Sequence, residues 1–337
     1  MRNLMFLTLA ALSASGVVSA ATTCSYVTTG QRMVLQSDCM TDSPIIVPNG
    51  MTHDGAGHKI TAIDPPGGHF RGGILQNAGA TANVVDTVLE TAGIEDFCQT
   101  GADQLAGILF DGASGTITRN TILAVNKNSR AGVLSSCQEG NAIEAVNFGS
   151  MPGRMQVKID NNTIRNYQKT GIVLNGEVDG TVVANAVVGA GPQGFIGQNG
   201  IQIGAGASGH VMGNTITGNA YSGSDTASGG IVVASGPLHR SNYSFGVEIE
   251  QNTLVGNDVG VWLMQMNERR ESPVVPTRVS VTNNVITNDA VTNGRTYQAA
   301  ITAHGNGDLI KGNRISGAGY DPATLPGSTL AIDAYQE

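Results

Sequence analysis

Residues 162–214 read NTIRNYQKTGIVLNGEVDGTVVANAVVGAGPQGFIGQNGIQIGAGASGHVMGN and contain two complete turns of one repeat. Each turn has a short apolar strand, a bend at an asparagine, a second apolar pair, and a Gly-Ile start to the next strand. Outward from this stretch the asparagine position recurs at Thr87, Asn120, Asn162, Asn185, Asn214, Asn252, Asn284 and Asn313. Three residues before and two residues after each of these stands Val, Ile or Leu, for example Val182 and Val187 around Asn185. A fixed period of this kind marks a solenoid, in which each repeat buries its apolar face only by stacking on its neighbours.

Strands opening with Gly-Ile or Gly-Val start at Gly73, Gly107, Gly132, Gly171, Gly200, Gly230 and Gly260, with Ala300 in the last place. The spacing predicts three brief strands per turn and an all-β, single-stranded parallel β-helix of nine or ten rungs. The asparagines serve the bends, where stacked side chains can bond the backbone and one another.

The chain divides into residues 1–20 as a signal peptide, 21–72 as an N-terminal cap with first rungs, 73–316 as the repeats, and 317–337 as a C-terminal cap. Arg2, the apolar run Leu4 to Leu12 and Val18-Ser19-Ala20 have the pattern of a leader cleaved after Ala20. That run is too short to span a bilayer, so the expected localisation is secreted or periplasmic, with no membrane span. A formal charge of −8 argues against nucleic acid as a partner. The 46 glycines and 13% charged residues suit many tight turns around a β-branched interior.

Cys24, Cys39, Cys98 and Cys137 are an even set in an exported chain, and three disulfide pairings are open. Cys24–Cys39 is favoured because the two flank the first strand; Cys98–Cys137 joins two loops on neighbouring rungs. Their spacing does not suggest zinc, and no metal ligand set is assigned.

The rungs ITRNTI, IDNNTIRNYQKTGIVL, HVMGNTITGN and GNRISG resemble the right-handed parallel β-helix repeat of the pectin-lyase-like superfamily. The resemblance implies a right-handed coil over roughly residues 30–320. It also implies a sugar-binding groove along the sheet of Gly-Ile strands. Superfamily members include polysaccharide lyases, epimerases and hydrolases, and periplasmic proteins similar to the maturation factor NosD. The expected partner is therefore a polysaccharide, acted on by β-elimination, epimerisation or hydrolysis. The alternative is a non-catalytic surface module or a NosD-like accessory protein. No cofactor is expected, except Ca2+ if the chemistry is that of a lyase.

Insertions fall at one phase of the repeat. Among them GAGPQGFIGQ and GNAYSGSDTAS precede Gly-Ile strands, and ASGPLHRSNYSFG follows one. Both sets flank one sheet, where inserted loops often line a binding face. Two residues before each Gly the sequence reads Leu105, Arg130, Lys169, Gln198, Ser228, Asp258 and Gln298. Two residues after it reads Leu109, Leu134, Val173, Gln202, Val232, Trp262 and Thr302. Both rows are expected to face outward.

For proton abstraction beside a uronate carboxylate, Lys169 and Arg130 are the candidate bases and Asp258 the candidate acid. Gln198, Gln202, Trp262 and His304 are candidate sugar contacts. A hydrolase would need two carboxyls about 5–9.5 Å apart, which Glu248 and Glu250 could supply with His210 one rung away. Polygalacturonase signatures and the Asp-Pro-His-Asp signature of alginate epimerases do not occur in the sequence.

Overall fold

The computed structural model describes residues 24–127 and 135–334. The expected signal peptide lies outside the described residues, as does the candidate Arg130. Among the described residues only three single-turn 3-10 segments interrupt a succession of strands. The strands form three sheets of 11, 10 and 10 members, each strand pairing with its counterpart one rung away. A representative turn runs from Thr170–Gly176 to Val178–Val183 and Ala186–Gln193, then to Asn199–Gly204 above the first strand. The three faces are here called the groove sheet, the ladder sheet and the third sheet, in that order along the turn. All strand pairings are parallel except Tyr26–Thr29 on Arg32–Leu35, which closes the N-terminal end.

Apolar residues of like position stack through the interior. Ile172, Ile201, Ile231, Val261 and Ile301 follow one another in the groove sheet, each fully buried. Ile159, Val182, Val211 and Ile249 do the same in the ladder sheet, and Ile164, Val187, Ile216 and Leu254 in the third. Full burial of such a side chain contributes roughly 1.5–3 kcal/mol, so the repeated pattern itself supplies the driving force.

The bend between ladder and third sheets is made the same way on every rung. The residue before each ladder position is left-handed: Asp86, Arg119, Asn161, Ala184, Gly213, Gln251, Asn283 and Gly312, with φ between 49° and 71°. Only two of these are glycine, and a left-handed L-residue costs roughly 1–2 kcal/mol. The asparagines offset that cost. The backbone N–H and Nδ2 of Asn162 both donate to Asn185 Oδ1, at 3.0 and 2.9 Å, and Nδ2 also donates to Ile117 O at 2.9 Å. The same arrangement continues from Asn185 to Asn214, Asn252, Asn284 and Asn313. At the N-terminal end the Thr87 amide takes Asn120 Oδ1, and its hydroxyl meets His53 Nδ1 at 3.2 Å.

Two rungs differ from the expected register. The strand expected at Gly132 falls within residues 128–134, outside the described residues. The groove strand of that turn is Asn141–Asn147, so Ile143 takes the interior place and Glu144 the outward one. Ala142 provides the small residue that Gly provides elsewhere, which hid the strand from a search for Gly-Ile. Gly73 pairs one residue early, opposite Ala106, and brings Leu75 rather than Ile74 into line with Ile108.

The favoured Cys24–Cys39 bond is present, as is Cys98–Cys137, with Cα–Cα distances of 5.3 and 5.1 Å. At the other end Thr329–Ala334 adds a last strand to the groove sheet, and buried Tyr320 donates its hydroxyl to Asn257 O. Among the described residues no helix is long and apolar enough to cross a membrane.

Candidate functional site

The groove sheet carries a cavity of about 480 Å³ on its outer face. Its floor is formed by Asn175, Gln202 and Val232 on three successive strands and by Trp262 and Met264 on the next. One wall comes from the segments that precede those strands, with Lys169, Phe195, Asn199, Tyr221 and Asp225. The facing wall comes from the segment after Gly229–Ser235, with His239 and Ser241. Loops inserted at one phase of the repeat thus enclose a single stretch of sheet.

Of the candidates named from sequence, the structure brings Lys169, Gln202 and Trp262 into this groove. Gln202 and Trp262 lie two strands apart, separated by Val232, hence roughly 10 Å along the coil. Lys169 is half-buried and its Nζ donates to Gly197 O at 2.7 Å. Burial disfavours its charged form and pulls its pKa down to about 8.

Among the described residues, the row two positions before each Gly faces inward, contrary to expectation, except at Lys169. Gln198, Ser228, Asp258 and Gln298 are fully buried, so none can touch a sugar. The chain turns there from third to groove sheet, and backbone groups left unpaired by that turn need partners. Gln198 accepts from Ala190 N and donates to Tyr167 O. Asp258 Oδ2 accepts from Tyr221 N at 2.8 Å, Ser228 N at 2.9 Å and Asn293 Nδ2 at 2.9 Å. Burial raises its pKa to about 6 against these bonds. Asp258 is therefore an anchor beneath the groove: it fixes the amide of Tyr221, whose side chain forms part of the wall.

His304 follows Ala303, the partner of Leu263, and is not among the groove-lining residues. His210, Glu248 and Glu250 come together as the shared phase predicts, with His210 Nε2 at 2.9 Å from Glu250 and 4.0 Å from Glu248. They stand on the ladder sheet, away from the groove.

The sequence reading missed Phe195, Tyr221, Asp225 and His239. The Tyr221 hydroxyl donates to Asp225 Oδ1 at 2.5 Å, and this bond with burial lifts the phenol above its usual range. Phe195 is 55% exposed, an apolar ring presented to the groove mouth. The available clue was an aromatic in each of two inserted loops. Glu144, also missed, stands outward beside Val173; burial raises its pKa while Asn141 Nδ2 bonds it at 2.9 Å.

The profile of the family described as the right handed beta helix region matches residues 106–269. A comparison with curated proteins finds no match. Among solved structures the chain is similar to the periplasmic alginate epimerase AlgG, at 13% identity and a TM-score of 0.43, over 90% of this chain and 84% of that one. A double mutant of AlgG gives 13% and 0.40, and a single mutant 14% and 0.38, with the same coverage. At such identity no residue role passes from AlgG to this chain. The three parallel sheets and the stacked interior make the fold a parallel β-helix, and residues 106–269, just under half of the chain, are similar to the right handed beta helix region.

Proposed function

We propose that the groove binds an acidic polysaccharide and acts on it by removing the proton next to a uronate carboxylate. The observation that carries this reading is the convergence of Lys169, Tyr221–Asp225, Gln202, Trp262 and Phe195 on one open groove. Trp262 and Phe195 offer faces on which sugar rings stack, and Gln202 and Asn199 offer hydrogen bonds that orient them. Lys169 is the base: an amine with a pKa near 8 has a populated neutral form at neutral pH and still carries charge to attract a carboxylate. The pair of electrons from the broken C–H bond passes to the carboxylate as an enolate. It then either expels the neighbouring glycosidic oxygen, which takes up a proton, or is reprotonated from the opposite face. The first outcome is β-elimination and the second epimerisation; Tyr221 is the nearby hydroxyl able to supply the proton. Hydrolysis fits less well, because Asp225 is the one carboxylate among the lining residues and two are needed. Calcium also fits poorly, since one carboxylate is few for an ion that takes six to eight oxygens. No step is routed through it.

The bond from Lys169 Nζ to Gly197 O favours a second reading, in which the lysine only shapes the wall and the groove binds sugar without turnover. Two disulfides fit an oxidising compartment, and export to the periplasm or beyond is part of the proposal.

The test incubates the protein with uronate-containing and neutral polysaccharides. Unsaturated products are followed by absorbance, epimerised residues by proton NMR and new chain ends by a reducing-sugar assay. Lys169→Met is expected to abolish product while leaving the circular dichroism spectrum and sugar retention in place. Retention that depends on Trp262, with no product from any substrate, would establish the binding reading. Release of reducing ends without unsaturation would refute proton abstraction.

A further inference from the structure

A second cluster lies apart from the groove, where the turn after Lys59–Ala62 meets the segment that leads to Cys98. We propose that Asp64, His69 and Glu95 form a binding site for a divalent transition-metal cation of the zinc type. It is independent of the polysaccharide reading.

The geometry is that of three ligand atoms facing one point. His69 Nδ1 is 4.0 Å from Asp64 Oδ2 and 4.0 Å from Glu95 Oε2, and the three atoms lie within 4.8 Å of one another. Those separations are too long for a hydrogen bond. They suit donors grouped around an ion that each would approach to about 2.0–2.2 Å, after a small closing movement. His69 Nδ1 is buried and has no hydrogen-bond partner. Leaving a buried polar atom unsatisfied is unfavourable, and a bound cation removes that cost.

The ligands are held in place before any ion arrives. The Asp64 carboxylate is 6% exposed and fixed through both oxygens, by Phe70 N at 2.9 Å and Glu95 N at 2.8 Å. Each of its oxygens keeps a lone pair beyond those bonds. The His69 ring stacks on Phe97 with centroids 4.4 Å apart and planes 4° from parallel. Glu95 is 54% exposed, which gives the ion an entry path and leaves room for water as a further ligand. One imidazole nitrogen with two carboxylates selects zinc-like ions over calcium or magnesium, whose ligands are oxygens.

The consequence is mechanical. An ion here ties the turn at 64–70 to the segment at 94–97. That segment is already fastened by Cys98–Cys137 and by buried Lys127, whose Nζ bonds Phe97 O and Gln99 Oε1 and pairs with Glu139 at 3.2 Å. The metal would complete the fastening of the first inserted loop.

The test uses untagged, chelator-treated full-length protein with Zn2+ followed by calorimetry and by thermal unfolding. One tight site is expected, with a rise in Tm on addition of the metal. His69→Phe keeps a ring against Phe97 but removes the donor, and Glu95→Gln alters an exposed ligand with little risk to folding. Each is expected to weaken binding at least about tenfold, the loss seen even for outer-shell partners. His210→Ala controls for the histidine beside Glu248 and Glu250 and should leave binding unchanged. No zinc-dependent heat or Tm rise in the wild type would overturn the site. So would undiminished binding in His69→Phe and Glu95→Gln, or calcium binding as tight as zinc. Either of the first two results would mark the cluster as a plain histidine–carboxylate contact.

Discussion

The two corners on either side of the third sheet solve the same problem in opposite ways. Between ladder and third sheets, one device repeats: a left-handed residue, then an asparagine whose side chain bonds the next rung. Between third and groove sheets the polar side chains act differently from rung to rung: Gln198 and Gln298 bond the loops that lead into them, whereas Gln168 and Asp258 bond the rung before. A short second ladder runs there from Asn219 to Asn257, and Asn288 Nδ2 bonds Asn257 O beyond it. The regular corner carries stability: its asparagines are buried from Asn120 to Asn284, while the left-handed residues beside them, such as Arg119 and Ala184, face solvent. The irregular corner carries the groove wall, because loops that differ from rung to rung need anchors that differ as well.

The sharpest break of this contrast is Asn185→Leu. It orphans the backbone N–H of Asn162, strips Asn162 Nδ2 of one of its two acceptors, and removes the side-chain donor to Asn214 Oδ1 and Ile159 O. At about 1–3 kcal/mol per buried unsatisfied group, a loss of about 4 kcal/mol is expected in urea unfolding. A ladder that tolerates the change within 1 kcal/mol (about a fivefold change in the folding equilibrium) would show that the interior stacks alone fix the bend.

Next come two pH windows of opposite sign, one for each corner. His53, at the start of the ladder, is buried and its pKa falls from 6.5 to about 4. The unfolded chain therefore binds the extra proton, and stability is lost as pH drops from about 6.5 toward 4, by up to about 3 kcal/mol. Asp258, in the irregular corner, has its pKa raised from 3.8 to about 6. There the folded chain holds the proton, and stability falls as pH rises from about 4 to 6, by up to about 3 kcal/mol. The two limbs oppose each other in the wild type. Asp258→Asn should expose the His53 limb as a steeper acid loss in denaturation measured from pH 4 to 7. An unchanged slope would show that Asp258 does not titrate as its burial demands.

The smallest effect is expected at Ala184, left-handed at φ 55° just before Asn185. Ala184→Gly relieves the steric cost but loosens the unfolded chain, so a net change within about 1 kcal/mol is expected. A large stabilisation measured by thermal unfolding would mean that the ladder offsets less of the bend's cost than argued above.

The register misread at Gly132 shows where reading by residue type stops. A Gly-Ile pair is not required at the strand start: the corner asks only for a small residue, and Asn-Ala-Ile at 141–143 meets that demand. Leu134 was thus assigned a place that Glu144 holds. Gln202 and Trp262 were legible as groove residues because strand alternation sends them outward, whereas Lys169 lies just before its strand and reaches the groove where others of its row turn inside. Gln198 and Asp258 were misplaced because alternation fails where the chain turns, and the turn's backbone donors drew them inside.

The sequence by itself determined the coil, its sheets and the asparagine bend, since each arises from contacts one period apart that repeat along the chain. The tertiary structure alone decided which loop residues meet. Phe195, Tyr221 and His239 share a groove, and Asp64, His69 and Glu95 face one point, through insertions of unequal length on different rungs. No period relates such positions, so their meeting depends on how each loop folds over its neighbours.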